Sequence, residues 1–287
     1  MIDAPPAQDA PAPLRIPDPA LVFEERGARL AALAPSSATG EYLLLAARMA
    51  RGQARAVREI AVPGAPRGGP LPIAPSRLPR EAAWRRMLGL VLVESGAPGL
   101  PRQALEAIRR LEDDGVNALE RLAEAVLAGR VDPGLAPDAL ATAPFVGAAL
   151  QAYYGKLAAG VDPAAVPAAE RGCPLCGSPP VAGLVQGDDR ARYLSCSLCA
   201  AQWYVPRIRC TSCQAGETVS YLEIEGDPGA RAEACDACKS YLKLFDLAKR
   251  PGAEPAADDL ATLALDLLVA EEGYARGGAN LLLWSAG

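Results

Sequence analysis

Eight cysteines occur in this chain of 287 residues, and every one sits in a Cys-x-x-Cys pair. The pairs are Cys173/Cys176, Cys196/Cys199, Cys210/Cys213 and Cys235/Cys238, with no cysteine outside this stretch. A chain that used cysteine for packing would scatter it. Nineteen residues separate Cys176 from Cys196, and 21 separate Cys213 from Cys235. Each spacing is close to that of a ribbon in which a hairpin joins two metal-binding turns. One turn presents two thiolates, and two turns complete a tetrahedron of sulfur.

Two other readings of the pairs fit less well. Disulfides are rare in a reducing compartment. A redox CxxC belongs in a strand–helix–strand setting, whereas these pairs lie among turn residues. The flanks favour metal. Cys173-Pro174-Leu175-Cys176-Gly177 fixes one turn with proline and supplies glycine where a positive φ is wanted. The other three pairs carry Ala200, Gln214 and Lys239 in place of that glycine, so they are expected to be looser matches. Sequential pairing makes Cys173, Cys176, Cys196 and Cys199 one site, and Cys210, Cys213, Cys235 and Cys238 the other. It is favoured over a cross-braced arrangement because each half closes its own short loop. Four thiolates suit zinc or a single rubredoxin-type iron, and the spacing does not choose. The expected cofactors are two metal ions, iron or zinc.

Much chemistry is excluded. The chain has no histidine, which removes Ser-His-Asp and Cys-His catalysis and His-ligated zinc. No phosphate-binding glycine loop is present. The net charge of −5 offers no basic field, and eight thiolates holding two dications move it to about −9. No apolar run approaches the roughly 20 residues of a membrane span. The first residues show no export signal, so the protein is expected in the cytoplasm.

Before the cysteines, apolar residues recur at helical spacing. They mark helices through Phe23 to Ala34, Tyr42 to Gln53, Trp84 to Ser95, Leu105 to Leu111, Leu119 to Val126 and Leu150 to Leu157. Residues 63–79 hold six prolines and three glycines, a linker or extended loop. Arg192–Ser195, Gln202–Val205, Thr218–Ile224 and Tyr241–Phe245 read as strands, with a hairpin turn at Gly187-Asp188-Asp189. Pro255 opens one final helix ending near Gly273, with Asp258 and Asp259 in its first turn as charge compensation or partner contact.

The expected fold is α+β: a helical N-terminal domain, two small rubredoxin-like or zinc-ribbon metal modules, and a C-terminal helix. The expected boundaries are 1–19 loosely ordered, 20–165 helical, 166–208 and 209–250 the two metal modules, and 251–287 the C-terminal helix and tail. The helical part is expected to fold without metal, and the ribbons are not.

The chain resembles the formate dehydrogenase accessory protein family, FdhE. The resemblance lies in CPLCGSPPV at 173–181, RYLSCSLCAAQWYVPRIRCTSC at 192–213, EACDACKSYLK at 233–243, ADDLATLALDLL at 257–268 and GYARGGAN at 273–280. RIPDPALVFEERGARLAALA at 15–34 is a weaker match. The resemblance implies all eight cysteines as metal ligands, with iron or zinc. It also implies a cytoplasmic, non-enzymatic role: assembling a respiratory formate dehydrogenase by contact with its molybdenum-containing catalytic subunit. Tyr193, Trp203, Tyr204, Arg207 and Arg209 bracket the second and third turns and are the candidate partner-binding residues, since aromatics and arginine most often carry interface energy. Trp203 could equally be the ribbon's own core. Two further readings are a rubredoxin-like electron-transfer or redox-sensing iron protein and a zinc-ribbon nucleic-acid module. The second is disfavoured by five arginines against eight acids over residues 173–238.

Overall fold

The computed structural model describes residues 11–96, 99–131, 138–169, 171–206, 209–216 and 218–284. Six helices fill the N-terminal half: α1 (Pro19–Leu33), α2 (Gly40–Glu59), α3 (Ala83–Ser95), α4 (Arg102–Asp113), α5 (Val116–Leu127) and α6 (Ala139–Ala158). The boundaries follow local chemistry. Asp18 caps α1 by accepting from the Ala20 N–H at 2.8 Å, with Pro19 at the first helical position. Helix α6 is buried almost all round, so the other helices pack about it as a central post.

Among the described residues the strands form one eight-stranded sheet. Its strands are β1 (Leu14–Arg15), β2 (Pro180–Gln186), β3 (Ala191–Cys196), β4 (Gln202–Tyr204), β5 (Val219–Leu222), β6 (Ala230–Cys235), β7 (Ser240–Asp246) and β8 (Ala275–Arg276). The order is β1-β4-β3-β2-β7-β6-β5, and β8 also pairs with β7. Each metal module therefore contributes three antiparallel strands. They join where β2 runs parallel to β7, Gly183 opposite Leu244 and Leu184 opposite Phe245. Glycine gives this seam room, because a Cβ on Gly183 would lie 2.5 Å from the Leu244 Cδ2 methyl and would force that side chain to shift.

The expected loose N-terminus is corrected for residues 11–19. Leu14 pairs with Trp203, the Tyr193 hydroxyl donates to the Ala12 carbonyl at 3.0 Å, and the Tyr204 N–H donates to Pro13 O at 3.1 Å. These bonds satisfy a sheet edge that would otherwise stay open. Residues 1–10 lie outside the described residues.

The expected single C-terminal helix is two: α7 (Pro255–Ala261) and α8 (Leu263–Glu271). The break at Thr262 has a visible cause. Buried Lys243 donates to Asp259 O at 2.7 Å and to Thr262 Oγ1 at 3.1 Å, taking over an acceptor the next helical N–H would have used. Asp258 and Asp259 are buried, which overturns the partner-contact reading, while Asp258 does compensate the start of α7 by accepting from the Glu254 N–H at 2.8 Å. Asp258 pairs with Arg29 and Arg250, while Asp259 pairs with Lys243 and Arg276.

The main hydrophobic core does not stop at residue 165. It runs from Phe23, Trp84 and Tyr154 of the helices through Cys173, Leu198 and Trp203 to Leu260 and Leu282. The proline-rich loop crosses the same boundary, with Ile73 fully buried and its N–H donating to Leu175 O at 3.1 Å. The chain's last described residues return to the helices, where Leu282 is buried and the Tyr42 hydroxyl donates to its carbonyl. No described helix is long and apolar enough to cross a membrane.

Candidate metal centres

The four Cys-x-x-Cys turns share one backbone conformation. The residue after each second cysteine is left-handed: Gly177 at φ 80°, Ala200 at 60°, Gln214 at 69° and Lys239 at 54°. In three of them its N–H closes the turn on the first cysteine's carbonyl: Gly177 to Cys173 at 2.9 Å, Gln214 to Cys210 at 3.0 Å and Lys239 to Cys235 at 2.8 Å. The three glycine-free pairs thus keep the left-handed residue, and two of them also keep the closing hydrogen bond. Each accepts the left-handed cost, about 1–2 kcal/mol, to hold the same shape. The shape aims N–H groups at sulfur, as Leu198 and Cys199 do toward Cys196 Sγ and Ser212 does toward Cys210 Sγ, all at 3.4 Å.

These turns bring the cysteines into two groups in sequential pairing, Cys173, Cys176, Cys196 and Cys199 in one and Cys210, Cys213, Cys235 and Cys238 in the other. Within each group all four sulfurs lie within 4.8 Å of one another. Near neighbours are closer: 3.6 Å for Cys173–Cys199, 3.3 Å for Cys176–Cys196, and 3.7 Å for both Cys210–Cys238 and Cys213–Cys235. A tetrahedron with metal–sulfur bonds of about 2.3 Å has edges of about 3.8 Å. A disulfide needs about 2.05 Å. The donor set and its spacing therefore fit one tetrahedral ion per group.

The two groups differ in their surroundings. The first is wholly buried, inside the main core. In the second, Cys210 and Cys235 are buried, Cys213 is partly covered and Cys238 is exposed.

In each group one thiolate is favoured by its hydrogen-bond partners. Burial disfavours the Cys176 thiolate, but hydrogen bonds from Cys173, Cys196, Cys199 and the Ser178 hydroxyl hold it well below the usual thiol value. Burial in turn pushes Cys173 well up. In the second group, burial opposes the Cys235 thiolate, yet the Thr218 hydroxyl and the N–H groups of Cys238 and Ala237 bring it to about 6. The Ala215 N–H favours the Cys213 thiolate, but burial and its cysteine neighbours push it to about 12. Filling either group must release the remaining protons, so affinity rises with pH.

Three hydroxyls beside the sulfurs were missed from the sequence. Ser178 hydrogen-bonds Cys176, Ser240 Oγ lies 3.0 Å from Cys238 Sγ, and Thr218 Oγ1 lies 3.4 Å from Cys235 Sγ. Ser178 and Ser240 each stand two residues after a second cysteine, a local signal that was there to read. Such outer partners orient ligands and tune a metal.

The candidate partner residues scatter. Tyr193 and Trp203 are buried, Trp203 in the main core, so neither offers a surface. Tyr204 is 38% exposed and Arg209 is exposed. Arg207 lies outside the described residues.

Comparison with known proteins matches this architecture along its length. Residues 11–170 match the family model "FdhE, N-terminal", 172–207 the "FdhE, central domain" and 208–283 the "FdhE, C-terminal domain". A protein FdhE homolog of Pseudomonas aeruginosa is 39% identical, over 93% of this chain and 91% of its own. A protein FdhE of Salmonella paratyphi A is 34% identical, over 95% of this chain and 91% of its own. The crystal structure of the FdhE protein from Pseudomonas aeruginosa superposes with a TM-score of 0.85 at 37% identity, covering 96% of this chain and 99% of that one. Helical half, paired four-cysteine modules and sequence agree along nearly the whole length, and the chain belongs to the FdhE family of formate dehydrogenase accessory proteins.

Proposed function

We propose that this protein is a cytoplasmic assembly factor that grips the catalytic subunit of a formate dehydrogenase. Its eight cysteines hold two metal ions, iron or zinc, one in each group. The role is binding and not catalysis: the groups gathered in the structure are cysteine sulfurs, and no histidine exists to serve them as a base.

One observation carries the gripping surface. A cleft of about 410 Å³ opens between the two modules, lined by Arg171, Trp203, Tyr204, Pro206, Arg209 and Gln214 among others. The exposed ring of Tyr204 stands on β4, and the guanidinium groups of Arg171 and Arg209 stand beside cysteine turns that the metal sites would make rigid, so little entropy is lost on docking. The client face that fits is acidic.

The test is capture of the formate dehydrogenase catalytic subunit by the full chain carrying Arg171→Ala and Arg209→Ala. Capture is expected to fall at least tenfold, about 1.4 kcal/mol, with metal content and helical signal retained. Unchanged capture removes this cleft from the reading.

A second reading, electron transfer by iron in the second group, draws support from the exposure of Cys238. Iron-loaded protein would then show a reversible one-electron wave. A protein that loads only zinc in the cell excludes it.

A further inference from the structure

The two groups have the same ligands and opposite surroundings. Exchange at a tetrahedral thiolate site needs a new donor to reach the ion and one sulfur to leave. Both steps require space and water at the sulfur. Around Cys173, Cys176, Cys196 and Cys199, relative exposure is 0–4%, and Leu175, Leu198 and Trp203 of the main core close the site. A donor reaches that ion only if the core opens, which draws on much of the global stability.

The second group is built differently. Cys238 is exposed, and its neighbours Asp236, Ala237 and Lys239 are exposed with it. None of the four second-group cysteines belongs to the main core. The turn is held by backbone bonds from Asp236 to Thr218 and from Ala275 to Lys239, so it is the exposed Cys238 side chain that can leave the ion without disturbing a buried side chain. Ser240 Oγ, 3.0 Å from Cys238 Sγ, is placed to hydrogen-bond the leaving thiolate.

We propose that the second group is an exchangeable metal site entered at Cys238, while the first is a permanent structural centre. This rests on the reading that both groups bind metal. The exchange is a ligand substitution without redox change. A thiolate or chelating donor forms a bond to the ion, the ion–Cys238 bond breaks, and the freed Cys238 thiolate is left to solvent. The remaining three sulfurs are displaced in turn. The accepted partner is a soft donor: a small thiol, a chelator or a cysteine of another protein.

The experiment loads the full chain with two equivalents of zinc and challenges it with 4-(2-pyridylazo)resorcinol. Release is expected in two phases of one ion each, the first faster by about a hundredfold or more, since the second awaits opening of the core. Iodoacetamide added after the fast phase, read by peptide mass spectrometry, should label Cys210, Cys213, Cys235 and Cys238 and spare the other four. Cys238→Ser should abolish the fast phase and keep the slow one. Both ions leaving with one rate constant, or early labelling of Cys173 or Cys196, overturns the proposal while leaving the metal reading intact. A chain that takes up no ion on four sulfurs overturns both.

Discussion

Arg192 on β3 and Glu233 on β6 form a buried ion pair between the two metal modules. Arg192 also donates to the carbonyls of Pro206 at 2.8 Å and Arg209 at 3.0 Å, so one guanidinium fastens both modules and the segment between them. Removing one partner of such a pair leaves the other charge buried and alone. Glu233→Ala is therefore expected to cost about 3–5 kcal/mol, measured by urea denaturation of the metal-loaded chain. A loss below about 1 kcal/mol would show that the modules do not depend on this link.

The left-handed residues make a paired prediction. At Gly177 an added Cβ meets nothing nearer than 3.8 Å, so substitution tests conformation without a clash. Gly177→Ala is expected to destabilise by about 1–2 kcal/mol. Ala200→Gly relieves the same strain and should be neutral or stabilising by up to about 1 kcal/mol, the unfolded chain's entropy offsetting part of the relief. Thermal melts of both variants decide it. A destabilised Ala200→Gly would mean that its methyl packing outweighs the strain.

Acid should loosen the C-terminal network. Burial opposes charge on Asp259, but Lys243 and Arg276 hold its pKa below the usual carboxylate range. A carboxylate with a depressed folded pKa lends stability above the unfolded value of about 4 and loses it as pH falls through the folded value. Stability of the native chain should therefore drop as pH falls below about 4, and Asp259→Asn should flatten that limb while lowering stability at neutral pH. An unchanged acid slope in the variant assigns the drop to other groups.

Metal removal should reach the helices. The first cysteine group shares one core with Phe23, Trp84 and Tyr154. Chelation under denaturing pressure, followed by dialysis, is expected to leave faster amide exchange in α6 as well as in β2 and β3. The expectation from the sequence was the reverse, a helical domain indifferent to metal. Unaltered protection of α6 in the metal-free chain would restore that view.

What the sequence made legible was what local pattern governs. Six helices lay where apolar residues recur at helical spacing, and the cysteine spacing named the four-sulfur groups. What it hid was set by distant partners. Nothing local in Leu14-Arg15 announces an edge strand, because its complement is Trp203 almost 190 residues on. The stop at Thr262 depends on Lys243, and the fates of Asp258 and Asp259 depend on Arg29, Arg250 and Arg276. Tyr193 and Trp203 looked like a surface because aromatic residues beside turns serve both purposes, and only burial separates them.

The seam between the modules has a directional logic. It sets the first strand of one module, β2, beside the third strand of the other, β7. Such a head-to-tail contact does not use itself up: β5, the first strand of the second module, stands at the far end of the sheet order, and β4 would stand ready at the other. Contacts of this kind propagate into filaments unless something ends them. Leu14 and Arg15 lie along β4, so the strand that such a joint would use next is already paired within the chain.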